Sequence, residues 1–484
     1  MSFVNEFRKA STVTKSENGG NVFTTTGGGA LLDLFATIGG MRHQPIYEVT
    51  SKWRKAYKEN PTLAANLILY TRDIRNGGIG ERAIGRALLR ELATVEPEKI
   101  ERNLDTIVNC GRWDDLFCLL TINTLRDSII SFVANQLAQD MTSYKNGKPI
   151  SLLAKWAPSI NASSRETRRL ANILCKQLYL SPKTYRQTLA SLRKYSNVVE
   201  RKMSDGDWSS INFETVPSLA MSRYNKAYRK HTPIEFQTYL DCLKKGTVKI
   251  NAATLNPTDI CKKFLNEHRL GETDIAQWDS LPDYIKGENE VLCVSDVSGS
   301  MSWPNNEPMA ASIGLATYFA QRNKGSYHGL YMTFTDNPHF IQIDDDWSIE
   351  KCFRYIENTG IGYSTNMDKA LAAVYDLAIK CNEAPKVICI ISDGEMDRWV
   401  QDKRSDSIIS KWNNKLIAAG LNPVKIVSWN VAARNGTVIA PASDYISYCS
   451  GYGAGVFKQL ITLINNDAYE AMCIILNKPE FSWK

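Results

Sequence analysis

Asp296, Ser298 and Ser300 alternate in the run Asp296-Val-Ser298-Gly-Ser300, directly after the apolar stretch Val291–Ser295. Alternation brings one carboxylate and two hydroxyls to the same side of a single loop. All three are hard oxygen donors, the type that Mg²⁺ or Mn²⁺ prefers. Three ligands from one loop cannot fill an octahedron. Further donors must come from other loops at the same edge of a sheet. Two stretches suit: Gly360-Ile-Gly-Tyr-Ser-Thr365-Asn, just before a helix, and Ser392-Asp393-Gly394-Glu395, after the apolar run Val387–Ile391.

A second group of residues suits a polyanion. Between Lys145 and Ser204 stand 13 basic residues and two acidic ones, Glu166 and Glu200. Arg165, Arg168, Arg169 and Lys176 keep to one face of a helix, and Lys183, Arg186, Arg193, Lys194 and Arg201, with Lys202, do likewise on the next. Two adjacent helices can thus present one basic strip to phosphates. The bland alternative is a solvated surface neutralised by neighbours in space. Tyr179, Tyr185 and Tyr195 are interleaved and can stack on unpaired bases, although for any one of them a place in the core is the plainer reading. A further cluster, Arg72, Arg75, Arg82 and Arg86, surrounds Asn76-Gly-Gly-Ile-Gly80. Gly78-x-Gly80-x-x-Ala83 mimics a dinucleotide fingerprint but follows a helix rather than a strand, so a tight inter-helix turn is expected instead. Asp73 and Glu81 can pair with some of these arginines, which makes a structural network as good a reading as RNA contact.

The elements that must position these residues differ along the chain. Residues 1–29 are polar and glycine-rich and read as a flexible arm. From Ala30 to about Tyr239, apolar residues recur at three- and four-residue spacing, broken by Gly39-Gly40, Asn60-Pro61 and Asn76-Gly-Gly. This predicts pairs of helices, usually a solenoid, over residues 30–285. Residues 245–289 are less regular and lead to a junction near Asp279-Ser-Leu-Pro-Asp283. From Glu290 the texture changes. Short Val/Ile-rich runs (Val291–Ser295, Gly329–Thr333, Lys386–Ser392, Lys425–Asn430) alternate with amphipathic helices (Met309–Arg322, Asn366–Lys380, Asp406–Ala419). That alternation predicts parallel strands with crossover helices, a doubly wound α/β domain over residues 286–475 with a short tail to 484. Ligands should sit at the C-terminal ends of its strands.

Composition narrows the class. The formal net charge is +7, unevenly spread: residues 1–290 hold 41 Lys/Arg against 31 Asp/Glu, and residues 291–484 hold 17 against 20. Eleven cysteines, none in a C-x-x-C pair, argue against a disulfide scaffold and a structural zinc. Five histidines without H-E-x-x-H make a zinc hydrolase a poor reading, and no P-loop occurs. No apolar run is long enough to span a bilayer. The N-terminus lacks the pattern of a signal peptide. A cytoplasmic protein with reduced thiols and no membrane association is expected.

D-x-S-x-S after a first strand, a Gly-rich loop with threonine before a helix, and S-D-G after a central strand together resemble the von Willebrand factor A fold. Its metal ion-dependent adhesion site is matched by Asp296, Ser298, Ser300, Thr365 and Asp393. The resemblance implies direct ligation by the two serines and often by Thr365, with one or both aspartates acting through water. It leaves one coordination position for an acidic group on a partner. A helical region followed by such a domain resembles the Ro autoantigen, the TROVE class of RNA-binding proteins. Closer likeness to an uncharacterised Ro-related family lies in Tyr70-Thr-Arg-Asp-Ile-Arg75-Asn-Gly-Gly-Ile-Gly-Glu-Arg82, Ala154-Lys-Trp156-Ala-Pro158, Tyr185-Arg-Gln-Thr-Leu-Ala-Ser-Leu-Arg193 and Val216-Pro217-Ser218. That resemblance implies HEAT-like repeats closed into a ring, single-stranded RNA ends in the hole, and small structured RNA on the basic outer surface. A closed ring favours a monomer.

The expectation is therefore an RNA-binding scaffold rather than an enzyme, with no catalytic residue assigned. The alternatives are a metal-dependent adaptor that clamps an acidic residue of a partner protein and, less favoured, a metallo-nuclease using Glu395 and Asp397. No histidine or lysine in the sequence is an evident partner for the metal loops, as a positioned base requires.

Overall fold

The computed structural model describes residues 12–17, 19–196, 198–285, 290–335, 338–359, 365–395 and 405–484. Two compact units emerge. One combines the chain up to Ile84 with Ala252–Phe481, and the other holds Gly85–Asn251 with Ser482–Lys484.

The first unit opens with a hairpin, β1 (Val13–Lys15) and β2 (Asn21–Phe23), paired antiparallel. Its main body is a six-stranded sheet of β3 (Val291–Asp296), β4 (Leu330–Phe334), β5 (Phe340–Gln342), β6 (Val387–Ser392), β7 (Lys425–Asn430) and β8 (Ile446–Ser450). Strand order is β5-β4-β3-β6-β7-β8. All neighbours are parallel except the edge strand β5, which runs antiparallel to β4. The strands β3 and β6 are buried along their whole length. Both read as near-continuous apolar runs, as parallel strands covered on both faces must. The four Val/Ile-rich runs seen in the sequence are β3, β4, β6 and β7. The strands β5 and β8 were not signalled: the first spans three residues, and the second mixes serine with its apolar positions.

Residues 12–29 are not a loose arm where they are described. Phe23 exchanges main-chain hydrogen bonds with Val438, both 2.9 Å, beyond the end of β7. The threonines find partners too: Asp33 Oδ1 accepts from Thr25 and Thr26. Helix Ala30–Thr37 then lies against β8, with Ser450 Oγ donating to Phe35 O and accepting from Gly39 N. Gly39 and Gly40 do more than end a helix. A Cβ on Gly39 would lie 2.5 Å from Gly451 N, and one on Gly40 would lie 2.6 Å from Ala433 N. Only glycine admits that approach of backbone to backbone. Phe35, Tyr70 and Phe481 form a buried aromatic row, with centroids 5.5 and 5.3 Å apart. The apparent tail beyond residue 475 is therefore packed at Phe481.

The second unit is helical, with no strand among its described residues. Its longest helix is Asn123–Lys145. Helices Leu104–Cys110 and Trp113–Phe117 are separated at Gly111. Helices Arg165–Gln177 and Pro182–Tyr195 start where Ser164 and Ser181 accept from the backbone N–H of Thr167 and Thr184. Each buries one apolar stripe: Ala171, Leu174 and Cys175 on the first, Tyr185, Leu189 and Leu192 on the second. All eleven cysteines are free thiols. Among the described residues no helix is long and apolar enough to cross a membrane.

Candidate functional site

The strands β3 and β6 are neighbours, with Ser295 opposite Ile391. The chain leaves β3 toward β4 on one side and β6 toward β7 on the other. Their C-terminal ends therefore flank the point where strand order reverses, the position where open α/β sheets bind ligands. Asp296 ends β3, Ser392 ends β6, and Asp393 follows it.

Pairing of the two strands sets the local geometry. Ser392 Oγ donates to Asp296 Oδ2 at 2.5 Å. Asp296 Oδ1 accepts from Ser298 N at 3.0 Å, a turn that leaves Ser298 Oγ 3.0 Å from Ser300 Oγ. Asp393 Oδ1 accepts from Glu395 N at 2.9 Å. Its other oxygen, Oδ2, is buried with no partner in hydrogen-bonding geometry, although the Ser300 hydroxyl and the Arg434 guanidinium, with Nη2 at 3.6 Å, both favour its ionised form. Burial, then the nearby Asp296 carboxylate, push the Asp393 carboxyl well above its usual range. Thr365 is fully buried immediately before Asn366, whose side chain accepts from Lys369 N and starts helix Met367–Cys381. The loop residues 360–364 lie outside the described residues.

Two buried carboxylates in one cluster are costly unless a cation or several donors compensate them. The surrounding groups are serine hydroxyls. Among the described residues no group of three or more His, Cys, Asp and Glu could hold a metal ion. An ion here would rely on hydroxyl as much as carboxylate oxygen, a hard donor set that fits Mg²⁺ or Mn²⁺. Among the described residues the buried Asp393 Oδ2 has no partner in hydrogen-bonding geometry, and it is the oxygen such an ion would neutralise.

Three neighbours escaped the sequence reading. Arg434 reaches Asp393, the Ser300 carbonyl and, through Nη1 at 3.1 Å, the Glu17 carboxylate. Glu17 belongs to the turn of the β1–β2 hairpin, and its N–H donates to Glu395 Oε2 at 2.6 Å. Trp303 stands under Arg434, 5.4 Å from guanidinium carbon to ring centroid, and is 61% exposed. Arg434 had one available signal: it follows the C-terminal end of a predicted strand, where ligands are expected. Glu395 accepts from Asn435 Nδ2 on its second oxygen, so both oxygens are engaged. Asp397 lies outside the described residues.

The basic strip divides on inspection. Arg165, Arg168, Arg169, Lys176, Lys183, Arg186, Lys194 and Arg201 are exposed, and Lys202 is half-buried. Glu166 lies 3.7 Å from Arg169, and Asp205 lies 2.9 Å from Arg201. Arg168 Nη1 donates to the carbonyls of Ala162 and Ser163, and Lys202 Nζ to that of Ser210. Arg193 is different. It turns inward and donates to Ala154 O, Ala157 O and Ser159 Oγ at 2.8–2.9 Å. Burial lowers the pKa of its guanidinium. The three tyrosines also part company. Tyr185 is buried, its hydroxyl donating to Pro158 O; Tyr195 packs on Tyr144 and donates to Lys148 O. Tyr179 is 95% exposed and held at φ 53° between the two basic helices. In the cluster around Asn76–Gly80, Arg72 is buried. Glu81 binds Arg42, Asp73 accepts from Asn76 N and Gly78 N, and Arg86 binds Asp114 and Asp115. A Cβ on Gly78 would lie 2.4 Å from Tyr70 O, so the glycines serve the turn.

Two family models match the chain, both described as domains of unknown function: DUF2828 over residues 120–286 and DUF7788 over residues 290–475. An uncharacterised protein, L728, of Acanthamoeba polyphaga mimivirus is 26% identical over 508 residues, spanning 96% of this chain and 87% of that one. Among solved structures, the Deinococcus radiodurans RO (RSR) protein is similar over 88% of this chain and 92% of its own, at 14% identity and a TM-score of 0.39. Proximal thread matrix protein 1 from the mussel byssus is similar over 37% of this chain and 47% of its own, at 14% identity and a TM-score of 0.25. At these scores the functional reading has to stand on the chain's own residues.

Proposed function

We propose that this protein is an RNA-binding scaffold of the Ro type. In this reading HEAT-like helical repeats close into a ring, small structured RNA binds the basic outer face, and single-stranded RNA ends enter the hole. The α/β part is a von Willebrand factor A domain with a Mg²⁺ site of the adhesion type at Asp296, Ser298, Ser300, Thr365 and Asp393. The observation that carries the RNA reading is the exposed basic face of helices Arg165–Gln177 and Pro182–Tyr195, with Tyr179 projecting between them. Lys176, Lys183, Arg186 and Lys194 have no carboxylate within ion-pair distance among the described residues, which leaves their charge for phosphates.

The test is the nucleic-acid content of the purified protein before and after RNase and high salt, with sequencing of retained RNA. The combined variant Lys176→Gln, Lys183→Gln, Arg186→Gln, Lys194→Gln should lose most retention and flatten the salt dependence. Unchanged RNA binding in that variant sinks the reading.

A second reading has its own support. Exposed Trp303 beside the site, and Arg434 at its rim, form a surface suited to a protein carrying an acidic residue, which the ion would clamp. Chelation should abolish such binding while leaving RNA retention intact. The nuclease reading gains nothing, because Glu395 is engaged on both oxygens.

A further inference from the structure

The two short motifs Ala154–Pro158 and Tyr185–Arg193 meet in one place. The Arg193 guanidinium and the Tyr185 hydroxyl hold the backbone of 154–159, as described above, and the loop so fixed forms a wall of a cavity of about 730 Å³. All its walls belong to the helical unit. The size suits a small organic ligand rather than a single ion.

The wall chemistry is uneven. Arg90, Lys155 and Arg193 line it, and none has a carboxylate within ion-pair distance among the described residues. Among the described residues Arg90 donates to Cys118 O and Thr121 Oγ1. The two acids in the wall are already engaged: Asp114 by Arg86 at 2.5 Å, and Glu166 by Arg169 at 3.7 Å. Asp114 Oδ1 is nevertheless buried without a hydrogen-bond partner. Ser164 and Thr167 place the N-terminal turn of helix Arg165–Gln177 in the same wall, adding the positive end of its dipole. Phe117, Pro158 and Leu170 supply an apolar side, beside the indole of Trp156.

We propose that this cavity binds a nucleotide through its phosphate monoester. The three cations and the helix N-terminus meet the phosphate, the apolar side takes the base, and Asp114 Oδ1 accepts from a ribose hydroxyl or an amino group. The phosphate belongs either to a free mononucleotide or to the phosphorylated end of an RNA strand. None of the exposed strip residues lines the cavity, although helix Arg165–Gln177 contributes to both.

Calorimetry on the full chain tests this with each of the four ribonucleoside 5′-monophosphates, the matching nucleosides and inorganic phosphate. At least one monophosphate should bind ten-fold or more tightly than its nucleoside. Lys155→Gln and Arg90→Gln should each weaken it five-fold or more, with thermal melts showing both variants folded. No monophosphate binding, or binding indifferent to both variants, overturns the proposal. A ten-nucleotide RNA with and without a terminal phosphate then names the source. A preference for the phosphorylated strand makes it a strand end; equal binding, while a monophosphate still binds, makes it a free nucleotide. Monophosphate binding without RNA retention would keep this inference and end the RNA reading. RNA retention with indifference to every phosphate monoester would do the reverse.

Discussion

Asp393 is the residue on which the metal reading turns, and its protonation gives a direct check. Its carboxyl is held above its ordinary value of 3.8 by burial and by Asp296. Above that pH the metal-free folded protein therefore holds more protons at this site than the unfolded chain. Stability of the metal-free protein falls as pH rises through this window. The variant Asp393→Asn should remove that fall, as read by denaturant midpoints across the pH range. A bound divalent cation needs the ionised carboxylate, so Mn²⁺ affinity should rise with pH in the native chain and be lost in the variant. Arg434 supplies a second check. Its guanidinium, 3.6 Å from Asp393, competes with any ion for that charge. Arg434→Gln should strengthen Mn²⁺ binding by roughly three- to ten-fold, a change of about 1 kcal/mol. Weaker binding would mean that its hold on the Ser300 carbonyl matters more. Asp296, Ser298 and Ser300 were legible because one loop carries them at fixed spacing, and Asp393 because it follows a buried apolar run at the same sheet edge. Arg434 and Glu17 were not, because they reach the site from stretches far apart in the chain, and no spacing rule connects them.

At the scale of elements, residue type and helical period predicted the helices well and the individual side chains less well. The basic offsets within Arg165–Gln177 and Pro182–Tyr195 are real, but Arg201 and Lys202 fall on a separate helix, Val199–Asp205, rather than on the second. Yet Arg193 lies beside the buried stripe of Leu189 and Leu192 rather than opposite it, so it faces inward. Periodicity gives the face; it does not say how wide the covered stripe is. The consequence is a contrast between two arginines on one helix. Arg193→Ala leaves three acceptors without their donor and should cost about 2–4 kcal/mol in denaturant unfolding. Arg186→Ala should change stability by less than about 0.5 kcal/mol. Equal effects would mean that Arg193 is not the pin of the 154–159 loop. Tyr179→Ala should leave stability nearly unchanged and weaken single-stranded RNA binding by about 1–3 kcal/mol if it stacks on a base.

For the whole molecule, the change of texture near Glu290 was legible, but the composition of the sheet unit was not. Local pattern cannot show that Phe23 pairs with Val438, or that Gly39 and Gly40 lie against Asn430 and Gly451, because such contacts depend on residues some four hundred positions away. A fragment of residues 252–484 should accordingly be poorly soluble or molten, and co-expression with residues 1–84 should restore a cooperative melt. A fragment 252–484 that melts cooperatively alone would show these contacts to be dispensable.

That discontinuity has a consequence for synthesis. The β1–β2 hairpin emerges early, while the segment it pairs with around Val438 is made near the end. At typical elongation rates of about 5–20 residues per second, the wait is on the order of 20–80 s. During that interval Phe23 and the apolar face of helix Ala30–Thr37 have no sheet to lie on, while residues 85–251 can already collapse. The nascent chain should thus be a client for holding chaperones at its first segment, and slowing the ribosome should cost yield unless that segment is shielded.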